Sequence, residues 1–148
     1  MKIIRAGENH LDLITPLFDA YRIFYGQSHD LVRAKNFISA RLKNSDSIIF
    51  LITDEKELEA MAFAQLYPSF TSIGTSKIFI LNDLYVKAEY RKNSVATQLL
   101  KHIKEFAQKN NAIRITLETA LSNNIAQGLY ESLGYKKEEG VLHFHLNL

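Results

Sequence analysis

A helix that begins directly after a strand is the part of this sequence with the clearest chemical meaning. The run Ile78–Val86 has the apolar, β-branched character of a strand, the polar turn Lys87–Asn93 follows it, and an apolar stripe with helical spacing starts at Ser94. The first N–H groups of such a helix have no partner within it, and with the helix dipole they attract anions such as phosphate. The same pattern also fits an ordinary strand-to-helix connection. Neither GxGxxG nor GxxxxGK(S/T) occurs, so nucleotide-binding loops of those two kinds are not indicated.

Two segments of the chain resemble motifs of the GNAT superfamily of N-acetyltransferases. Leu84–Leu100 looks like the superfamily's acetyl-CoA motif, in which a strand leads through Arg/Gln-x-x-Gly-x-Gly/Ala into a helix. Asn123–Tyr135 looks like its Asn-x-x-Ala-x-x-x-Tyr-x-x-x-Gly-Phe/Tyr segment. The two motifs stand in the expected order with a strand between them, and the resemblance covers nearly the whole chain. The sequence is therefore identified as one GNAT-like acetyltransferase domain over residues 1–148.

This resemblance implies where the co-substrate acetyl-CoA binds. The strand backbone at Leu84–Val86 would pair with the pantetheine arm, the turn amides would hold the pyrophosphate, and the Asn123 side chain would contact CoA. Ser94 stands where the motif has its first glycine; serine is small, can keep helical dihedral angles and adds a hydroxyl donor, which is compatible with binding. The implied cofactor-binding residues are Leu84, Tyr85, Val86, Arg91, Lys92, Asn93, Ser94, Val95, Ala96, Thr97, Asn123, Ala126 and Tyr130.

Two residues are candidates for the proton transfers of acetyl transfer to an amine. Asp83, next to Asn82, is the candidate general base, acting directly or through water, because the amine must lose a proton before it attacks. A carboxylate that ends a hydrogen-bonded strand bulge is the alternative explanation of Asp83, and Glu118 or a water network are rival bases. Tyr130 matches the superfamily tyrosine that protonates the departing thiolate, although a packed helix tyrosine has the same pattern.

The acceptor pocket is expected to include aromatic side chains. Tyr25 lies in the break between the first two predicted helices, and Phe70 lies in the predicted loop Pro68–Gly74. In the superfamily these two regions shape the acceptor pocket, and an aromatic ring there can hold an ammonium group by a cation–π contact. Tyr25, Phe70 and Asp83 are therefore the candidate substrate-binding residues.

The elements that must position these residues follow from hydrophobic spacing and turn residues. They predict an α/β fold, and the resemblance implies a mixed central sheet with splayed parallel strands flanked by helices. The first helical pattern is interrupted at Pro16, so Thr15 and Pro16 predict that this helix begins or restarts there. The other predicted elements are strands at Lys2–Arg5, Ser47–Thr53, Leu58–Tyr67, Lys77–Val86, Ile113–Glu118, Tyr135 onward and Val141–Leu146, and helices capped by Asp30, starting at Ser94, and from Asn124 to Leu133.

Composition excludes several other classes of protein. The chain has 148 residues, a net charge of +2 and no cysteine, so it predicts one domain without a dense basic face for nucleic acid, without disulfides and without a thiol nucleophile. No apolar run approaches a membrane span, and the absence of cysteine suits the cytoplasm. His143 and His145 would face the same way on a strand, but no third ligand accompanies them, so no metal is expected.

These observations favour an acetyl-CoA-dependent N-acetyltransferase that transfers the acetyl group directly to a primary amine of a small molecule or protein. A non-catalytic acyl-CoA-binding or sensing module on the same fold is the alternative, and a small nucleic-acid binder is a third class that lacks the basic face. The identity of the amine is not readable from the sequence. A homodimer through the terminal strands also stays open.

Overall fold

A computed structural model describes residues 1–148 and contains five strands and four helices. The chain divides into two compact units, Met1–Glu118 and Thr119–Leu148. None of the helices has the length and apolar composition needed to cross a membrane. In chain order the elements are β1 (Lys2–Arg5), α1 (Leu11–Phe24), α2 (Leu31–Asn44), β2 (Ile48–Thr53), β3 (Ala60–Thr71), β4 (Ser76–Val86), α3 (Val95–Lys109), β5 (Arg114–Thr116) and α4 (Asn124–Ser132).

The first unit is built on a mixed sheet in which the strands lie in the order β1-β2-β3-β4-β5. The first four strands pair antiparallel, and β5 pairs parallel with β4. This agrees with the mixed α/β fold predicted from the sequence. The hairpin β3–β4 is its longest ladder, running from the pair Ala62 and Val86 to the pair Thr71 and Ser76.

Strand β2 is apolar throughout because helices cover both faces of the sheet. Ile49 and Leu51 belong to the core cluster formed with α1 and α2. Phe50 lies between them in sequence and therefore points to the other face. There its ring contacts Phe106 of α3, with 5.1 Å between the ring centroids. A strand buried on both faces has no polar alternation, which explains the continuous apolar run in this segment.

Two irregularities of β4 shape the site. The β3–β4 register shifts so that Gln65 lies opposite Asp83 while Leu66 lies opposite Leu81, which leaves Asn82 as the extra residue of a β-bulge. The parallel pairing with β5 covers only Ile78–Ile80. Strand β4 continues for six residues beyond that pairing, so this stretch has no partner in β5. The sheet thus opens between its two parallel strands, as the resemblance implied.

The first helix differs from its prediction. It runs without interruption from Leu11 to Phe24 and contains Pro16, so it neither begins nor restarts at Thr15 and Pro16. The Thr15 hydroxyl donates to the Leu11 carbonyl, 2.7 Å away and one turn earlier, and does not cap a new helix. Burial of the apolar stripe of α1 in the core outweighs the hydrogen bond that a proline cannot donate.

The predicted loop Pro68–Gly74 is wrong in its first half. Strand β3 extends to Thr71, and Phe70 lies within it, opposite Lys77. The ladder with β4 continues through this polar and proline-containing stretch. Each residue from 68 to 71 has a partner in residues 76–79. Proline is tolerated here although strand interiors usually exclude it.

The second unit contains α4 and a terminal segment without regular structure. The Asn123 side chain accepts a hydrogen bond from the Ala126 N–H at 3.2 Å and caps α4. Gly134 follows the helix with a φ of 91°, as a glycine after a helix end should. Residues 135–148 form neither helix nor strand, so the predicted strands from Tyr135 and at Val141–Leu146 are wrong. An alternating pattern describes a surface that suits a strand but does not supply the hydrogen-bonded neighbour that a strand requires.

Candidate active site

The turn between β4 and α3 places two cationic residues beside the unpaired end of β4. The Arg91 Nε donates to the Val86 carbonyl at 3.0 Å. The Arg91 guanidinium also lies over the rings of Tyr85 and Phe24, at 5.6 and 5.9 Å from their centroids. Arg91 therefore joins the end of β4 to the end of α1, and Lys92 follows it as an exposed residue of the turn.

Backbone conformation in this turn is unusual for residues that are not glycine. Lys92 has a φ of 65° and Ser94 a φ of 58°, both in the left-handed region. Serine was expected to keep helical dihedral angles, and this expectation is wrong because Ser94 precedes the helix and adopts the mirror-image conformation. A side chain in this region crowds its own carbonyl, which is why the position favours glycine.

The start of α3 leaves its first amides free to bind an anion. Ser94 occupies the N-cap position of α3 but makes no side-chain capping hydrogen bond, and no acidic residue lies in the first turn. In contrast, Asp30 caps α2 by accepting from the Arg33 N–H at 2.9 Å. The N–H groups of residues 95–97 therefore lack both an intrahelical and a capping partner. Positive helix-dipole potential and free donors coincide at the place that the sequence indicated.

Asp83 lies beside the bulge with its carboxylate almost fully buried, at 2% exposure. Its Oδ2 accepts a hydrogen bond from the Gln65 Nε2, and its Oδ1 accepts from the Asn82 Nδ2 at 2.9 Å. The Tyr21 hydroxyl lies against this pair and donates to the Asn82 carbonyl at 3.2 Å. The donors that hold Asp83 are thus neutral side chains. A carboxylate held in this way can accept a proton without first breaking an ion pair.

Burial dominates the acid–base properties of this group. Removal from water raises the pKa of Asp83, and the hydrogen bonds from Gln65 and Asn82, together with the nearby Tyr21 hydroxyl, partly oppose that rise. Burial and the neighbouring Asp83 also raise the pKa of Tyr21, and they raise the pKa of Tyr67 to about 12. Both phenols therefore stay protonated across the range in which Asp83 titrates.

Aromatic rings extend from Asp83 to the surface. Tyr25 meets Tyr21 edge-to-face with 4.9 Å between the ring centroids, and Phe24 meets Tyr25 in the same way at 5.2 Å. Tyr25 and Phe24 are more than half exposed. The structure therefore places Tyr25, a predicted substrate-binding residue, one ring away from the predicted base.

One other sequence candidate, Phe70, lies apart from this group. Phe70 is five residues beyond Gln65 on β3, which is roughly 17 Å along a strand, and it points to the opposite face. Glu118 is exposed and follows the end of β5. The distance of Phe70 along β3 and its orientation do not support a shared site for Phe70 and Asp83. No group of three or more His, Asp or Glu side chains is arranged to hold a metal ion.

Tyr130 lies on α4 of the second unit and is partly buried. Its ring packs against that of Tyr135, with 5.6 Å between the centroids, and its carbonyl accepts from the Tyr135 N–H at 3.1 Å. The ring contact packs the Tyr130 side chain against the residue that follows the end of α4, beyond Gly134. Asn123 uses its side-chain carbonyl oxygen to cap the same helix.

Two residues of the Asp83 network escaped the sequence analysis. Gln65 is fully buried within β3, and its Oε1 accepts from the Ser47 hydroxyl at 2.9 Å. Ser47 is also buried, directly before β2. The signal that points to them is a polar residue within an otherwise apolar strand run, because such a residue needs a partner inside the protein.

Comparison with known proteins adds independent evidence on this architecture. The sequence profile of the Acetyltransferase (GNAT) family matches residues 13–135. An uncharacterised N-acetyltransferase of Bacillus subtilis (strain 168), YhfO, is 40% identical over 148 residues, which is 100% of this chain and 98% of that protein. A probable acetyltransferase of Haemophilus influenzae is 28% identical and is covered to 99%, with 100% of this chain matched. The crystal structure of a probable acetyltransferase superposes with a TM-score of 0.93 at 38% identity, covering 100% of this chain and 98% of that one.

The left-handed conformation at Ser94 generates a test of backbone strain. We expect Ser94→Gly to raise the free energy of unfolding by about 0.5–1 kcal/mol, because relief of the left-handed strain exceeds the entropy that glycine adds to the unfolded chain. Urea denaturation measures this change. Ala96→Gly is the matched control, since Ala96 is helical and the same replacement should lower stability by about 0.5–1 kcal/mol. A loss of stability in Ser94→Gly would contradict the strained conformation.

Proposed function

The chain belongs to the Acetyltransferase (GNAT) family of N-acetyltransferases and is therefore an enzyme, and from this premise we propose that it transfers the acetyl group of acetyl-CoA directly to a primary amine. Acyl transfer from acetyl-CoA follows from the family. The direct route, the amine acceptor and the roles of individual residues are the proposal. The observation that carries it is a buried carboxylate, Asp83, held by neutral donors at a bulge of the strand whose end is open.

Binding of acetyl-CoA is assigned to the open end of β4 and the turn after it. The backbone of Leu84–Val86 pairs with β3 on one side and has no partner in β5 on the other, so its free edge can pair with an extended amide chain such as pantetheine. The uncapped amides of Val95–Thr97 suit the pyrophosphate, with Arg91 and Lys92 adding positive charge. Asn93 and Ser94 complete the turn. In the second unit, Asn123, Ala126 and Tyr130 are assigned to CoA by their match to the family motif.

The proposed reaction needs a base for the acceptor ammonium and an acid for the departing thiolate. Asp83 takes a proton from the acceptor ammonium, directly or through water, and the free amine then forms a bond to the thioester carbonyl carbon. When the carbon–sulfur bond breaks, Tyr130 gives its phenolic proton to the departing thiolate. The nitrogen of the tetrahedral intermediate gives up its excess proton, which returns to the Tyr130 phenolate through water, and Asp83 releases its proton to the solvent. The products are the acetylated amine and CoA with a free thiol. Neither step requires an acyl-enzyme, in agreement with the absence of cysteine.

The acceptor is proposed to be an amine of a small molecule or a protein, bound next to Asp83 with Tyr25 at its side. The position of Tyr25 beside Tyr21 supports this role, whereas the position of Phe70 does not. We also propose action in the cytoplasm without nucleic acid, which the net charge of +2 and the lack of cysteine favour. Homodimer formation remains part of the proposal and is tested by the mass of the protein in solution.

The proposed function is tested with purified protein, acetyl-CoA and a panel of primary amines. The panel contains a polyamine, an aminoglycoside, free amino acids and a lysine peptide, and mass spectrometry detects the acetylated product while a thiol reagent measures free CoA. Thiol release that depends on one of the amines, together with the matching product, supports the proposal. Binding of acetyl-CoA without release of thiol above hydrolysis would favour a non-catalytic acyl-CoA-binding module.

The turn before α3 generates a test of pyrophosphate binding. We expect Ser94→Glu to weaken CoA binding at least tenfold, because it places a negative charge beside the bound phosphates. Calorimetry measures the affinity. Ser94→Gln is the matched control, since it has the same backbone strain and a side chain of the same length without the charge. Equal CoA affinities of the two variants would remove the turn from the binding site.

The role of Asp83 as base generates a second test. We expect Asp83→Asn to lower kcat roughly 100-fold or more near pH 7 and much less near pH 9, where more of the amine is already deprotonated. CoA affinity should stay close to that of the wild type. Glu118→Gln is the control for the rival base and should keep the wild-type profile. An unaltered pH–rate profile in Asp83→Asn would take Asp83 out of the mechanism.

The role of Tyr130 as acid generates a third test. Tyr130→Phe keeps the ring that packs on Tyr135 and removes only the phenolic proton, so kcat should fall roughly 10- to 1000-fold with little change in acetyl-CoA affinity. Tyr135→Phe is the matched control and should retain turnover. Wild-type turnover of a folded Tyr130→Phe enzyme, measured where chemistry limits the rate, would reject this assignment.

A further inference from the structure

Three buried polar side chains form a directional chain of hydrogen bonds across the sheet. The Ser47 hydroxyl donates to the Gln65 Oε1 at 2.9 Å, and the Gln65 Nε2 donates to the Asp83 Oδ2. They belong to neighbouring parts of the sheet: Ser47 directly precedes β2, Gln65 lies on β3 and Asp83 on β4. Gln65 is 0% exposed, so water does not replace either of its hydrogen bonds.

The direction of these hydrogen bonds shows which end of the Gln65 amide faces Asp83. An amide has a donor end and an acceptor end, and the Ser47 hydroxyl holds the acceptor end of Gln65. The donor end is therefore turned to Asp83, where it stabilises the ionised carboxylate. In the opposite orientation, the Gln65 oxygen would face Asp83 and would favour only the protonated acid. An ionised Asp83 can only accept, so it selects this orientation, and the Ser47 hydroxyl stabilises it by satisfying the buried acceptor end of Gln65.

We infer that Ser47 and Gln65 are positioning residues for acetyl transfer, which hold Asp83 in the orientation and the ionised form needed to accept the proton of the acceptor amine. This inference rests on the proposed function, because it requires Asp83 to be the base. It goes beyond that function by assigning a catalytic purpose to two core residues that touch neither substrate.

Other groups around Asp83 do not account for the same effect. The titratable side chains that face it are Tyr21 from α1 and Tyr67 from β3. Burial raises the pKa of both phenols, so they remain neutral while Asp83 titrates. Asn82 donates to the other carboxylate oxygen but is itself exposed on the bulge, where water competes for its amide. The buried Gln65 is the donor whose orientation is held by a second buried side chain.

Two variants interrupt this series of hydrogen bonds at different points. Ser47→Ala removes the hydroxyl that satisfies the acceptor end of Gln65, and Gln65→Met keeps the length of the side chain without its donor. Loss of a donor to the ionised carboxylate raises the pKa of Asp83. The acidic limb of the kcat/KM profile should therefore move to higher pH, by roughly half a unit in Ser47→Ala and roughly one unit or more in Gln65→Met. Ser47→Thr retains a hydroxyl and should restore the wild-type limb.

Thr53→Val is the matched control for a purely structural role. Thr53 is also fully buried, lies at the other end of β2, and its hydroxyl donates to the Asp54 carbonyl at 3.0 Å. Its replacement removes a buried hydroxyl of the same sheet without touching Asp83. We expect it to lower the melting temperature but to leave the acidic limb in place. A limb that moves equally in Thr53→Val and Ser47→Ala would overturn the inference.

A measurement without turnover separates this inference from the proposed function. In protein with ¹³C-labelled aspartate carboxyl groups, the Asp83 signal is assigned by its loss in Asp83→Asn, and its titration midpoint is followed by NMR in each variant. The inference is supported if the titration midpoint of Asp83 and the acidic limb of the kcat/KM profile move together. If the titration midpoint of Asp83 stays fixed in folded Ser47→Ala and Gln65→Met, the positioning role of Ser47 and Gln65 is overturned, but Asp83 can still be the base. A midpoint that moves while the limb of the rate profile stays fixed shows that Asp83 is not the base. The inference and the base assignment then fail, whereas acetyl transfer itself is decided by the amine panel.

Discussion

The burial of one carboxylate constrains much of the site. Asp83 is removed from water in a sheet whose neighbouring side chains are mostly apolar, and an ionised group in such a place requires donors of fixed position. The bulge at Asn82 meets this requirement from the same strand, because the extra residue brings its amide to one carboxylate oxygen. Gln65 meets it from the adjacent strand at the other oxygen. A regular β4 would shift the register and turn these side chains to other partners.

The opening of the sheet and the turn after β4 form a second constraint, which acts on the backbone. Parallel pairing that ends at Ile80 leaves the last residues of β4 with free amide and carbonyl groups on one edge. The chain must then reverse direction within a few residues to start α3, and it does so through left-handed conformations at Lys92 and Ser94. Ser94 at the N-cap makes no side-chain capping hydrogen bond, so the first amides of α3 are clear of a side-chain cap. Backbone strain of this kind is typical of sites where the main chain itself binds a ligand.

The sequence predicts those parts of the protein that are encoded by local spacing. The amphipathic stripe of α3, the Asp30 cap of α2 and the strand β2 each follow from residues close together in the chain. The same holds for the position of the turn at Arg91 and of Asp83 in its strand. Family membership was also predictable, because two motifs in fixed order carry more information than either motif alone.

The features that escaped prediction depend on partners distant in the sequence. Pro16 is tolerated within α1 because the stripe around it is buried in the core, and β3 reaches Thr71 because β4 continues to pair with it. Alternation at Val141–Leu146 suggested a strand, but no strand forms there. The Ser47–Gln65–Asp83 chain joins residues 18 positions apart at each step, so only the register of three strands brings them together.

The donors around Asp83 are neutral, and this determines how strongly the carboxylate binds a proton. An arginine or lysine at the position of Gln65 would hold the carboxylate more firmly, but it would also lower the pKa of Asp83 and weaken its basicity. Neutral amides compensate for burial only in part, so the pKa of Asp83 stays above its ordinary value. The cationic Arg91 is meanwhile engaged by the Val86 carbonyl and two aromatic rings. The fold thus places positive charge in the turn after β4 and keeps neutral donors at the carboxylate within β4.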